Sequence, residues 1–176
     1  VNLRDGDSLL TVLPVDPALD LLLITRLGMS IRLHTDQISV MGRATAGVRG
    51  ALLDRGDEVI FAAQPTTGGQ VLLISERGYA KRILFMDFEP QSRGGKGVKA
   101  FYFNKSGSNG AYVAGAAAVA AQPGDTLVTQ RKSAPTVLPA GEVPMQGKQD
   151  KGRAFVMAIL DDVVTGVMPL PAPVAP

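Results

Sequence analysis

Val71-Leu72-Leu73-Ile74-Ser75-Glu76-Arg77-Gly78-Tyr79-Ala80-Lys81-Arg82-Ile83-Leu84 holds two strand-length runs divided by a glycine turn. The first run is apolar without a break, as in an inner strand covered on both faces. The second mixes basic and apolar residues, as in an outer strand. Together they read as an antiparallel hairpin. Fifty residues earlier the same hairpin recurs with no gap. Leu21-Leu22-Leu23-Ile24-Thr25 falls on Val71–Ser75, Gly28 on Gly78 and Arg32 on Arg82. A fixed period of this size marks one supersecondary unit used repeatedly, whose apolar faces are buried only against neighbours.

The match runs outward in both directions. Gly6-Asp7 falls on Gly56-Asp57, Arg43 on Arg93, and Gly47-Val48 on Gly97-Val98. A weaker third copy follows at a shift of about 55. There Asp125–Thr129 takes the place of Gln70–Ile74, Val143 that of Phe88, and Gln146–Gly152 that of Gln91–Gly97. The extra residues fit a longer, flexible loop around Ser106–Gly110. Val59-Ile60-Phe61-Ala62-Ala63, before Pro65 and Gly68-Gly69, adds a further strand read as part of the hairpins of its own repeat. No segment carries a helical stripe over three turns. The expected fold is all-β, with propeller-like blades of four antiparallel strands. One domain spans 1–168, with repeats at about 1–50, 51–100 and 101–165. A Pro-rich tail at 169–176 should be extended or loosely docked.

Composition narrows the function classes. Hydrophobic residues make up 45% of the 176, enough for a core, and the longest apolar runs are strand-sized. No membrane association is therefore expected. The absence of cysteine excludes disulfide scaffolds, thiol catalysis and cysteine metal sites, and suits a reducing cytoplasm. Val1 in place of an initiating Met reads as a piece of something longer. Net charge is only +2, but charge is segregated. Residues 77–105 hold Arg77, Lys81, Arg82, Arg93, Lys96, Lys99 and Lys105 against Asp87 and Glu89. Such clustering is the footprint of a polyanion partner, and equally of a solvated surface.

The sharpest shared element is the loop closing each repeat: Met41–Gly47, Gln91–Gly97 and Gln146–Gly152. Its pattern is a basic residue at the third position and Gly at the seventh, with Lys at the sixth in two copies. Glycine lets the backbone turn tightly so that amide N–H groups can face a phosphate, and nearby Arg and Lys supply charge. Arg49, Lys99 and Arg153 follow shortly after each copy. The loop is no nucleotide-binding P-loop, because no Ser or Thr follows the lysine and no helix follows the glycines.

Met41–Gly50, followed by Leu53 and Gly56-Asp57, resembles the blade motif of the C-terminal domain of the DNA gyrase A subunit. So does Ser75–Arg82. Gln91-Ser92-Arg93-Gly94-Gly95-Lys96-Gly97 is similar to that family's box motif, which has a second Arg where this chain has Ser92. The A subunit of topoisomerase IV carries degenerate versions of the same blades. The resemblance implies a β-pinwheel, here about three blades, partial or open, matching the C-terminal half of such a domain. It implies a bacterial, cytoplasmic, nucleoid-associated type IIA topoisomerase as parent, with duplex DNA bound and bent along a basic rim. Partners would be double-stranded DNA, the rest of the A subunit and the B subunit, with self-association through open blade edges. Carried over by position, the box residues are Gln91, Arg93, Gly94, Gly95, Lys96 and Gly97. The rim cations of the matching repeats are Arg43, Arg49, Lys81, Arg82, Lys148 and Lys151, and the neighbouring Lys99 and Arg153 are expected to bind DNA with them.

Neither catalytic residues, a metal site nor a cofactor is expected in this chain. The single histidine, His34, reads as a strand-end surface residue; Tyr79, Tyr102 and Tyr112 read as packing residues; Asp7 and Asp57 read as turn formers. Aromatics at 5%, with no Trp, argue against a stacking platform for single strands. The competing reading is a propeller fragment that binds protein and has no DNA role.

Overall fold

In this computed structural model, residues 2–42 and 44–171 are described. Among the described residues, eleven strands form three antiparallel sheets. Hairpin β1 (Leu21–Thr25) and β2 (Met29–Leu33) opens the first. Hairpin β4 (Gln70–Ser75) and β5 (Tyr79–Leu84) forms the middle of the second, and β8 (Asp125–Gln130) with β9 (Thr136–Pro139) that of the third. The remaining strands come from farther along the chain. β3 (Val59–Ala63) pairs with β1, β7 (Val113–Val119) with β4, and β11 (Val164–Pro169) with β8. Two-residue strands β6 (Val98–Lys99) and β10 (Arg153–Ala154) cover the outer edges of β2 and β5. The sheet orders are thus β3-β1-β2-β6, β10-β5-β4-β7 and β11-β8-β9.

This arrangement corrects one strand assignment. Val59–Ala63 does not fold back onto the hairpin of its own repeat. It pairs with β1, with Ala62 opposite Leu23, while Gln64–Gly69 carries the chain over to the next sheet. The physical reason is that β1 would otherwise present an open apolar edge, and an open edge seeks a strand. β5 lies outside β4 as expected, but β10 covers it in turn.

The sheets stack face to face. Alternation along β4 sends Val71 and Leu73 toward Leu22 and Ile24 of β1, together with Phe88, Phe101 and Val113. Leu72 and Ile74 point the other way, onto Val128, Ala140, Val143 and Val164. All four β4 side chains are fully buried, which is why this strand reads as an unbroken apolar run. Each contributes roughly 1.5–3 kcal/mol of transfer free energy.

Two arginines lock successive units together. Arg82 donates from Nε to the Val143 carbonyl (2.7 Å), from Nη1 to Gln70 Oε1 (2.6 Å) and from Nη2 to the Gly141 carbonyl (2.9 Å). Arg32 repeats the pattern on Asp20 (2.7 Å) and the Phe88 carbonyl (2.9 Å). His34 ends β2 exposed, with Nδ1 2.8 Å from the same Asp20. Asp57 closes a turn by accepting the Leu27 and Glu58 N–H groups. Asp162, which does the same at the turn of the third hairpin, is buried. It accepts from the Ser133 hydroxyl and from the N–H groups of Lys132, Ser133 and Val163.

Gly56 and Gly78 share the left-handed conformation, with φ of 80° at both, but differ in surroundings. A Cβ on Gly56 would meet nothing, whereas one on Gly78 would collide with the Val156 carbonyl. Gly56→Ala should therefore cost about 1 kcal/mol from backbone strain alone, and Gly78→Ala clearly more, in urea unfolding. Equal losses would refute the packing role of Gly78.

A second prediction concerns acid. The Ser133 hydroxyl foremost, then the three N–H groups, hold the Asp162 carboxyl down to about 2 against the opposing effect of its burial. Asp162 thus stabilises the fold fully above its ordinary value of 3.8, and that contribution is lost as pH falls through about 2. Stability of the wild type should drop more steeply over this window than that of Asp162→Asn.

Candidate nucleic-acid interface

The closing loops are placed by the hairpin of the preceding unit. Gln91 N–H donates to the Arg32 carbonyl (2.8 Å), and Gln146 N–H to the Arg82 carbonyl (2.9 Å). Gly97 enters β6 at a φ of 82°, packed so closely on Ser30 and Ile31 that a side chain would not fit. Loops Gln91–Gly97 and Gln146–Gly152 therefore sit on blades that their own repeats do not build.

Loop Gln91–Gly97 is also tied to the end of the first repeat. Gly94 N–H donates to the Gly50 carbonyl and Leu52 N–H to the Gly95 carbonyl, both at 2.9 Å. Arg93 donates from Nη1 to the Arg49 carbonyl (3.0 Å), and its N–H donates to Gln37 Oε1 (2.8 Å). The exposed cations Arg49, Arg93 and Lys96 are thereby gathered into one patch. Asp54 lies within it, 2.9 Å from Lys96 Nζ, and both side chains are 63% exposed. A pair so open to water contributes little and leaves Lys96 available to a competing anion.

Loop Gln146–Gly152 is held differently, and here two predicted rim cations are corrected. Lys81 is fully buried. Its ammonium donates to the carbonyls of Gly147 (2.9 Å), Lys148 (3.0 Å) and Asp150 (2.7 Å), using all three hydrogens, and lies 5.3 Å from the Phe101 ring centre. Burial pulls its pKa down to about 8, opposed by the charge of Asp150. Arg82 is likewise buried and its donors are spent on Gln70, Val143 and Gly141. As neighbours on β5 the two side chains leave the strand on opposite faces, Lys81 beneath loop Gln146–Gly152 and Arg82 against the Gly141–Val143 segment before it, and both are shielded from solvent. Neither reaches an external phosphate in this arrangement.

The other predicted residues divide cleanly. Lys151 and Arg153 are exposed; Lys99 and Lys148 are half-buried. Lys148 Nζ lies 3.9 Å from Glu89, and Lys99 stacks 5.7 Å from the Tyr102 ring centre. Gln91, Gly94, Gly95 and Gly97 shape the second loop, partly covered. Arg43 lies outside the described residues, as does the tail from Ala172 onward. Tyr79 packs into the core and Tyr112 supports Arg26 (4.1 Å to its ring centre), but Tyr102 points outward, against expectation. Three positioning residues escaped the sequence reading. These are Gln37, which brackets Gln91 and Arg93, Asp150, which closes its loop onto Gly147 N–H, and the fully buried Asn109. Asn109 Nδ2 bridges the Tyr102 and Lys151 carbonyls, both at 2.9 Å, and so ties the third loop to the segment that follows the second. No repeat echo marks them.

Residues 19–65 and 69–116, more than half of the chain, match the family described as "DNA gyrase C-terminal domain, beta-propeller". The chain belongs to that family. Among curated relatives, the DNA gyrase A subunit of Pseudomonas aeruginosa is 32% identical over 168 residues, covering 95% of this chain and 18% of that protein. Its counterpart in Kosmotoga olearia is 31% identical over 172 residues, covering 95% and 20%. That of Mycobacterium tuberculosis is 37% identical over 107 residues, covering 60% and 13%. The chain thus spans about a fifth or less of these proteins. Among solved structures, the C-terminal domain of DNA topoisomerase IV superposes with a TM-score of 0.85 at 23% identity, over 95% of this chain and 51% of that one. The DNA gyrase A C-terminal domain superposes with 0.74 at 24%, over 85% and 50%. The fold of this gyrase-family chain is accordingly a β-pinwheel, and the chain is as long as about half of such a domain.

Lys81→Met removes the cation and leaves three inward carbonyls without a donor. We expect a loss of about 2–4 kcal/mol, with hydrogen exchange at 146–152 accelerated first. Arg93→Ala, an exposed change, should leave the unfolding midpoint nearly untouched. Equal effects of the two would contradict the inside–outside division.

Proposed function

We propose that this chain binds and bends duplex DNA without reading its sequence, as part of the C-terminal domain of a type IIA topoisomerase A subunit. The observation that carries this reading is the gathering of Arg49, Arg93 and Lys96 into one exposed patch by hydrogen bonds between loop Gln91–Gly97 and the Arg49–Leu52 segment that follows the first closing loop. Lys99 on β6, Lys148 and Lys151 on the next loop, and Arg153 on β10 supply further cations. Contacts of this kind go to phosphates, which position a protein on the duplex but carry no base information. A bend of 40–90° costs of order 1–6 kcal/mol, which several phosphate contacts offset. The chemistry of DNA cleavage and ATP use would lie elsewhere in the parent enzyme, with the remaining A subunit and the B subunit as partners, in the bacterial cytoplasm and nucleoid.

One observation favours an additional protein contact. Leu9–Leu13 is the repeat counterpart of β3, yet it pairs with no strand and leaves Leu9 63% and Val12 78% exposed. The outer edge of β9 also lacks the short covering strand found on β2 and β5, among the described residues. Open edges of this kind suit a further blade of the A subunit or a second copy of this chain.

If the seven accessible cations each neutralise one phosphate, affinity for duplex should fall about 10³- to 10⁴-fold between 50 and 200 mM salt. Arg93→Ala with Lys96→Ala should lower the slope of log K against log salt by about 2, equally for unrelated sequences. A flat salt response, or no binding at 50 mM salt, would leave the protein-binding reading in its place.

A further inference from the structure

We propose that Gly147–Lys151 binds phosphodiester oxygens through its main-chain N–H groups, and that Lys81 positions those groups from behind. This rests on the DNA reading above and names how one loop would engage the polymer. The starting point is the direction of the carbonyls. Those of Gly147, Lys148 and Asp150 turn inward to the Lys81 ammonium, and that of Lys151 turns inward to Asn109 Nδ2. In a trans peptide the N–H of the following residue points opposite to the carbonyl. No described peptide bond is cis. The N–H groups of Lys148, Gln149 and Lys151 are therefore directed away from the interior.

None of these three N–H groups has a hydrogen-bond partner among the described residues. The Asp150 carboxylate is turned back onto Gly147 N–H (2.8 Å), which closes the loop. Because the carbonyls converge on one ammonium, the donors on the far side splay apart. Such an array fits successive oxygens along a backbone better than a single enclosed anion. The buried charge adds to this, since each peptide dipole with its oxygen on Lys81 presents its positive end outward.

The second-repeat loop makes an instructive contrast. Ile31, fully buried, occupies the position of Lys81. The N–H groups of Arg93 and Gly94 are consumed by Gln37 and Gly50. That loop is left to act through its exposed Arg93 and Lys96 side chains. The third loop has lost the arginine and the Gly-Gly pair, keeping Gln146-Gly147-Lys148-Gln149-Asp150-Lys151-Gly152. Recognition would pass from side chains in one loop to main chain in the next.

The test is a titration of the uniformly ¹⁵N-labelled chain, followed residue by residue, with a short duplex and separately with inorganic phosphate at matched ionic strength. At duplex saturation the amide signals of Lys148, Gln149 and Lys151 should move downfield. They should do so equally in Lys148→Ala with Lys151→Ala, which binds more weakly but keeps the backbone. Lys81→Met, in the fraction that stays folded, should lose these shifts and bind duplex at least about tenfold more weakly. Shifts with duplex and only slight ones with free phosphate would support a phosphodiester polymer as ligand. Shifts with phosphate and none with duplex would overturn that assignment. Stationary 148, 149 and 151 amides while those of 91–97 move would overturn the main-chain site and leave the DNA reading standing. Absence of any duplex binding at 50 mM salt would overturn the DNA reading itself. The wild-type titration decides the matter even if Lys81→Met does not fold.

Discussion

Each of the first two hairpins in this chain has two edges, and its own repeat covers neither. β1 is completed by β3 and β2 by β6; β4 is completed by β7 and β5 by β10. An uncovered edge leaves a row of unpaired N–H and carbonyl groups, so strand pairing forces each unit to lend segments to the one before it. The arginines at the second strand complete this joint by reaching the carbonyls that precede the next closing loop. Blade stacking and the placement of loops Gln91–Gly97 and Gln146–Gly152 follow from this exchange. It also explains why a unit of this kind gains little stability alone and much in a series.

The same constraint holds the two later closing loops in defined conformations. A glycine-rich segment ordinarily carries a large conformational entropy cost when ordered. Here that cost is offset by hydrogen bonds that Arg93 and Gly94 donate to Gln37, Arg49 and Gly50 in one loop, and from inside by Lys81 and Asn109 in the next. Burying the Lys81 charge is unfavourable by several kcal/mol, of order the penalty for any desolvated ion, unless its donors are fully met. Three carbonyls meet them. A cation thus serves the interior in one place, while chemically similar cations a few residues away face solvent.

Much of the architecture was legible because it depends on local pattern. The unbroken run Val71–Ile74 announced a strand buried on both faces, and the glycine at 78 announced the turn after it. The 50-residue echo announced a stack of like units. The partner of Val59–Ala63 was not legible, since any apolar five-residue strand suits either neighbouring hairpin and only the competition for open edges decides. Lys81 and Arg82 were misread for a related reason. A basic residue on a strand carries no mark of whether carbonyls about 60 residues away in sequence will converge on it.

From the sequence alone came the period, the strand composition and the recurrence of a basic, glycine-rich loop in register, because these arise from side-chain alternation and turn chemistry within a few residues. Tertiary structure decided which hairpin each loop rests on, which charges face outward and which peptide groups remain free. Those outcomes depend on contacts between units, where burial and hydrogen-bond satisfaction are settled among groups that the chain brings together only once it has folded.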